Sequence, residues 1–94
     1  MIYVIAQMEI NDGCLDAAMA VFAKTVPQVL SEDGCIMYTP CADEKNANLI
    51  TIVEAWKSHD ALQAHLAAGH MAEFREAMKE LRKGTDVRIV VPFM

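Results

Sequence analysis

The sequence predicts an α+β fold whose elements run in the order β-α-β-β-α-β. Three features carry that reading. Apolar, β-branched runs stand near residues 2–10, 35–41, 48–56 and 87–93; two intervening stretches repeat apolar residues every three or four positions; and turn-forming residues such as Asn11-Asp12-Gly13 and Asp33-Gly34 punctuate the pattern.

In the first run, Ile2, Val4, Ala6, Met8 and Ile10 share one side and Tyr3, Ile5 and Gln7 the other, as in a strand covered on two faces. From Cys14 to Ser31, Leu15, Met19, Phe22, Val26 and Val29/Leu30 form one helix face. Pro27 is expected to kink that helix or start a new turn, and Gly34 to end it in the left-handed conformation. Cys35 to Cys41 is a second strand, Ala42 to Ala47 a polar hairpin loop, and Asn48 to Trp56 a third strand rich in Ile, Val and Thr. Ser58 suits the N-cap of the next helix, whose first turn carries Asp60 where the helix dipole favours an acid. Gly69 interrupts that helix, and Met71, Phe74, Met78 and Leu81 restart the spacing, which Gly84 closes. Val87 to Phe93 is the fourth strand, with Pro92 near its end, where a missing donor matters little.

This order is the split-βαβ, ferredoxin-like plan, an antiparallel four-stranded sheet with the helices on one face. Residues 1–94 read as a single domain without linker or repeat. A domain of this size buries only roughly 60 to 65% of the surface its unfolded chain exposes. Yet 54% of the residues are apolar, against a usual ~45 to 50% that also counts glycine. Strands apolar on both faces, with helices for only one, predict a homodimer in which the uncovered sheet faces pack as an α+β barrel.

The net charge of −5 comes from 13 acids and 8 bases, and only Lys79, Arg82 and Lys83 are grouped. Nucleic acid is therefore not an expected partner. No apolar run reaches ~18 residues and no signal-peptide pattern opens the chain, so the expectation is a cytoplasmic protein with no membrane partner. Cys14, Cys35 and Cys41 are odd in number and lack zinc-ligand spacing, which predicts free thiols buried as small apolar groups and no metal.

The only tryptophan and all three histidines gather at and just after the end of the third strand, as Trp56, His59, His65 and His70. Together with Glu32-Asp33-Gly34-Cys35 leading to Tyr38, Glu54-Ala55-Trp56 before Ser58, and Ala61-Leu62-x-Ala64-His65-Leu66 before His70-Met71, they resemble the antibiotic biosynthesis monooxygenase family. Val26-Pro27-x-Val29-Leu30 resembles its small quinol monooxygenases, and the match spans nearly the whole chain. The resemblance implies a dimeric α+β barrel and a family whose members include cofactor-independent oxygenases, haem-degrading enzymes and an isomerase. In the haem-degrading branch, an asparagine, a tryptophan and a ligating histidine correspond to Gln7, His65 and about Arg75 here; the missing ligand argues against haem.

Among the candidates, His65 lies one helical turn from Leu62 and offers an imidazole that titrates near neutral pH, either as general base or as a half-buried structural ring. Glu54 and Trp56 share strand parity with Ile50 and Ile52, so the acid stands on an apolar face. Glu54 is read either as a catalytic group that orients a histidine or titrates itself, or as a structural pair. Trp56 is core or substrate wall, while Gln7, Tyr38 and, secondarily, Tyr3 are candidate substrate contacts. His70 is expected at the surface of the helix break, and Met19, Met71 and Met78 in the core. The expected function is a cofactor-independent monooxygenase that oxidises a quinol or polycyclic phenol with O2. The alternatives are an isomerase or tautomerase of a small carbonyl compound and a non-catalytic dimer that binds an aromatic ligand.

Overall fold

The computed structural model describes residues Met1–Met94. Its elements are β1 (Ile2–Ile10), α1 (Leu15–Leu30), β2 (Cys35–Ala42), β3 (Leu49–Trp56), α2 (His59–Ala67), α3 (Gly69–Met78) and β4 (Arg82–Val90). The strands form one antiparallel sheet in the order β2-β3-β1-β4, the predicted ferredoxin-like plan. No helix is long and apolar enough to cross a membrane.

Strand alternation decides what faces the helices. Ile2, Val4, Ala6, Met8 and Ile10 of β1 and Ile50, Ile52, Glu54 and Trp56 of β3 are buried beneath them. Register places Tyr38 opposite Glu54, Glu54 opposite Val4, and Val4 opposite Ile89, so one row crosses the sheet through Glu54. Phe22 of α1 and Phe74 of α3 close the layer with ring centroids 5.3 Å apart. The opposite sheet face carries half-buried Tyr3, Ile5, Met37 and Val53 at its centre and exposed Gln7 and Glu9 toward one end. It is thus less uniformly apolar than the sequence pattern implies.

Three boundaries differ from expectation. The fourth strand begins at Arg82 and ends at Val90, so Gly84 pairs with Glu9 inside the sheet instead of closing a helix, and Pro92 lies beyond the strand. Arg82 and Lys83 do not look strand-like, but this edge of the sheet is exposed, where pairing to β1 decides the conformation. Helix α1 runs unbroken through Pro27, which falls in its last turn and so removes only one intrahelical bond. The three cysteines are free and only half-buried.

Candidate active site

A turn, two short helices and the centre of β3 converge on one cleft. Gly34 follows α1 at φ +85°, and a Cβ there would stand 2.6 Å from the Ala61 side chain. Only glycine lets the turn lie this close to α2. The turn is fixed further by Glu32 N–H to Val29 O (3.0 Å) and Lys57 N–H to Gly34 O (2.9 Å), so Glu32 is held on a rigid base. Opposite it, Ser58 caps α2 by accepting from Ala61 N–H at 3.1 Å, as its residue type predicts.

That geometry brings the Glu32 carboxylate to two histidines. Its Oε2 lies 2.9 Å from Nδ1 of His65 and 2.8 Å from Nε2 of His70. In an uninterrupted helix, residues five apart point about 140° away from each other. The break at Ala68, whose backbone is extended at ψ 143°, turns α3 so that both rings meet one acid. His70 is therefore a partly buried partner of Glu32, not the surface or capping residue expected at a helix break.

His65 is 2% exposed and lies against the Trp56 ring at a centroid distance of 4.5 Å, with Tyr38 at 5.7 Å. A carboxylate oxygen only accepts, so Nδ1 of the neutral imidazole carries the proton and Nε2 keeps its lone pair. No buried side-chain nitrogen or oxygen lacks a partner. Nε2, which has none within the chain, therefore reaches open space in the cleft that His65 lines. Burial pushes the imidazole below its usual value, the Glu32 hydrogen bond and charge pull it back up, and His70 and Arg75 depress it further. A ring that stays neutral and unprotonated at Nε2 is a usable base near neutral pH.

Glu54 does not orient a histidine, as one reading of the sequence had it. Its Oε1 accepts from Trp56 Nε1–H at 2.8 Å, since residues two apart on a strand share a face and the indole reaches back along it. Burial raises the Glu54 carboxyl to about 7, Trp56 lowers it and the negative charge of Glu32 raises it. Trp56 is fully buried behind His65 and forms no part of the cleft surface. Tyr38 does line the cleft, and burial followed by the charges of Glu54 and Glu32 raises its phenol well above the usual range, so it stays a hydrogen-bond donor.

The cleft encloses about 190 Å³ between α2, α3 and the sheet. This is below the roughly 300 Å³ at which sites for drug-sized ligands begin, which suits a small ligand. Leu62, Met71, Phe74, Val87 and Ile89 supply its apolar walls, and Arg75 and Arg82 mark one end. Arg75 is anchored by Nη2 to Leu66 O at 3.1 Å, and neither arginine has an acidic partner. Gln7 is outside this site. It lies on the opposite sheet face, bonded to Thr51 Oγ1 at 3.1 Å, and Tyr3 shares that face. Met78 is buried, Met71 lines the cleft, and Met19 is exposed beside a separate apolar hollow of about 430 Å³ between α1 and β2. That hollow is larger but offers no acid or base beyond the Cys41 thiol.

Sequence reasoning named His65, Glu54 and Tyr38 but missed Glu32, which is 33 residues from His65. The signal that pointed to it was its place in the Glu32-Asp33-Gly34-Cys35 turn, two residues before the glycine.

Comparison with known proteins agrees with this architecture. The profile of the family described as antibiotic biosynthesis monooxygenase matches residues 1–83. The probable quinol monooxygenase YgiN of Escherichia coli K12 is 34% identical over 102 aligned residues, covering 98% of each chain. A crystal structure described as an antibiotic biosynthesis monooxygenase superposes with a TM-score of 0.94 over all of both chains at 22% identity. The PA3566 protein of Pseudomonas aeruginosa gives 0.92 at 20% identity, covering 99% of this chain and 94% of its own.

Proposed function

The chain belongs to the antibiotic biosynthesis monooxygenase family, and from that premise we propose that it is an oxidoreductase that oxidises a small quinol or polycyclic phenol with O2. The single observation that carries this reading is the Glu32-held His65 ring with its free Nε2 facing an apolar cleft. Nε2 takes the phenolic proton, and the resulting anion is electron-rich enough to pass one electron to O2. After recombination, one oxygen atom enters the ring and the other leaves as water, so the quinol departs as a hydroxyquinone. The substrate supplies the electrons that a cofactor otherwise would, and none is required.

The other groups take supporting roles. The Tyr38 hydroxyl donates to a substrate oxygen, and the positive charge of Arg75 near His65 favours the phenolate over the phenol. Trp56 backs the base and excludes water from its inner face. Oxygen uptake with a panel of quinols tests the proposal. His65→Ala is expected to lower the rate by about 10² to 10⁴, the usual worth of a general base; uptake unaffected by it overturns the assignment.

One observation favours a second reading, an isomerase or tautomerase of a small carbonyl compound. Glu54, held at about 7, stands two residues from the Trp56 ring that packs on His65, so a carboxyl raised by burial and an imidazole lowered by it share one cleft. Turnover that persists without oxygen selects that reading. The half-buried Tyr3, Ile5, Met37 and Val53 on the open sheet face support a homodimer, for which sedimentation as a folded monomer at micromolar concentration is the contrary result.

A further inference from the structure

The proton transfer described above needs one histidine on Glu32, and the fold supplies two. The donor atoms of Glu32, His65 and His70 all lie within 4.8 Å of one another, with Oε2 at 2.9 and 2.8 Å from the two ring nitrogens. Neighbouring ligands at right angles on an ion with bonds of about 2.0 to 2.1 Å stand roughly 2.9 Å apart. The two carboxylate-to-imidazole spacings thus already match neighbouring positions on a metal ion, and the two ring nitrogens lie within 4.8 Å of each other.

We propose that Glu32, His65 and His70 form a binding site for a divalent first-row transition ion, which turns the His65 Nε2 from a proton acceptor into a proton donor. Two imidazoles and one carboxylate suit zinc, cobalt, nickel or iron(II), whereas calcium and magnesium take oxygen ligands and gain little from two imidazole nitrogens. The site is preorganised because Gly34 pins the Glu32 turn against α2, and the break at Ala68 fixes the second ring. Access is from the His70 side, since the side chains of His70 and Glu32 are 20% and 13% exposed while that of His65 is 2% exposed. Remaining coordination positions are filled by water.

The chemical consequence follows from the two nitrogens of one ring. A metal on Nδ1 displaces the proton that Glu32 holds there, and in the neutral imidazole that proton moves to Nε2. Nε2 then presents N–H to the cleft and cannot accept from a phenol. The ion silences the base from behind, without occupying the cleft. This inhibitory effect rests on His65 being the base; the binding itself does not.

The test is calorimetric titration of Zn2+ into chelator-stripped protein. One ion per chain is expected at micromolar affinity or tighter, weakened at least about 100-fold in both His70→Ala and Glu32→Gln. His70→Asp, which restores a ligand oxygen, is expected to recover part of the affinity. Should Glu32→Gln fail to fold, the partly exposed His70 variants decide the matter alone. Absence of binding, or binding unchanged by the His70 substitution, overturns the site. In oxygen uptake, saturating Zn2+ is expected to lower kcat at least about tenfold with little change in KM, the pattern of a lost transition-state interaction; zinc bound with turnover unaltered overturns the switch. Zinc binding to a protein that oxidises no quinol removes the proposed function and leaves the metal site standing, and turnover without zinc binding does the reverse.

Discussion

Replacing Glu54 by glutamine should stabilise the protein above neutral pH and leave it nearly unchanged in acid. Burial holds the Glu54 carboxyl at about 7 in the fold, against an ordinary value of 4.5. Each pH unit of that difference corresponds to 1.36 kcal/mol, so ionising Glu54 costs the folded state about 3 kcal/mol relative to the unfolded chain. The sign follows from a folded pKa above the unfolded one: the favourable contribution is complete below pH 4.5 and is lost as pH rises through 7. Glutamine does not titrate, keeps the side-chain length and can still accept from Trp56 Nε1–H through its amide oxygen. Its amide nitrogen can find water, because position 54 lines the cleft. Urea unfolding at fixed chain concentration is therefore expected to show wild type and Glu54→Gln within about 0.5 kcal/mol at pH 4.5, and the variant more stable by about 2 to 3 kcal/mol at pH 8. In a domain of this length that is a rise in Tm of roughly 10 °C or more at pH 8. Titration of His65 affects both proteins and largely cancels in the difference. A stability difference independent of pH, or one favouring wild type at pH 8, refutes the claim that burial dominates at Glu54.

Gly34→Ala should cost about 2 kcal/mol or more in thermal or urea unfolding, because the alanine combines a positive φ with a methyl 2.6 Å from Ala61, and it should impair the site in proportion to the displacement of Glu32. Trp56→Phe removes the buried donor to Glu54 and leaves a gap behind His65; a loss of roughly 2 to 4 kcal/mol is expected, with the Glu54 transition in the stability curve moving to higher pH. The acid limb of kcat/KM should fall below pH 6.5, since burial depresses His65, and Glu32→Gln should move it lower still by removing the group that raises it. A limb above pH 7, or one that moves upward in the variant, contradicts the electrostatics described for this ring.

Several features were legible because they depend on local periodicity. The alternation in Ile2–Ile10, the three-four spacing of Leu15 to Val29 and the Ser58 cap each report on the conformation of a few neighbouring residues, and the structure has each of them. Glu54, Ile50, Ile52 and Trp56 fall on one face for the same reason, and the placement of His65 one helical turn from Leu62 put it in the same layer. Gln7, read as a candidate substrate contact, stands on the sheet face opposite Val4, as its own alternation indicates, and is bonded there to Thr51. The start of β4 at Arg82 was hidden because residues with little strand propensity are held there by pairing to Glu9 and Ile10.

Amino-acid order alone determined the order of strands and helices, the inward face of β1 and β3, and that the chain has the plan of its family, since these follow from side-chain periods of two and 3.6 residues; the start of β4 and the exposure of Met19 did not. Only the tertiary structure decided which acid meets which base. Glu32 reaches His65 and His70 because a glycine turn closes on α2 and a helix break redirects α3, while the nearer candidate Glu54 is taken by its strand neighbour Trp56. Hydrogen bonds of 2.8 to 2.9 Å between residues more than thirty positions apart depend on how elements dock, and no local pattern in the sequence encodes that distance.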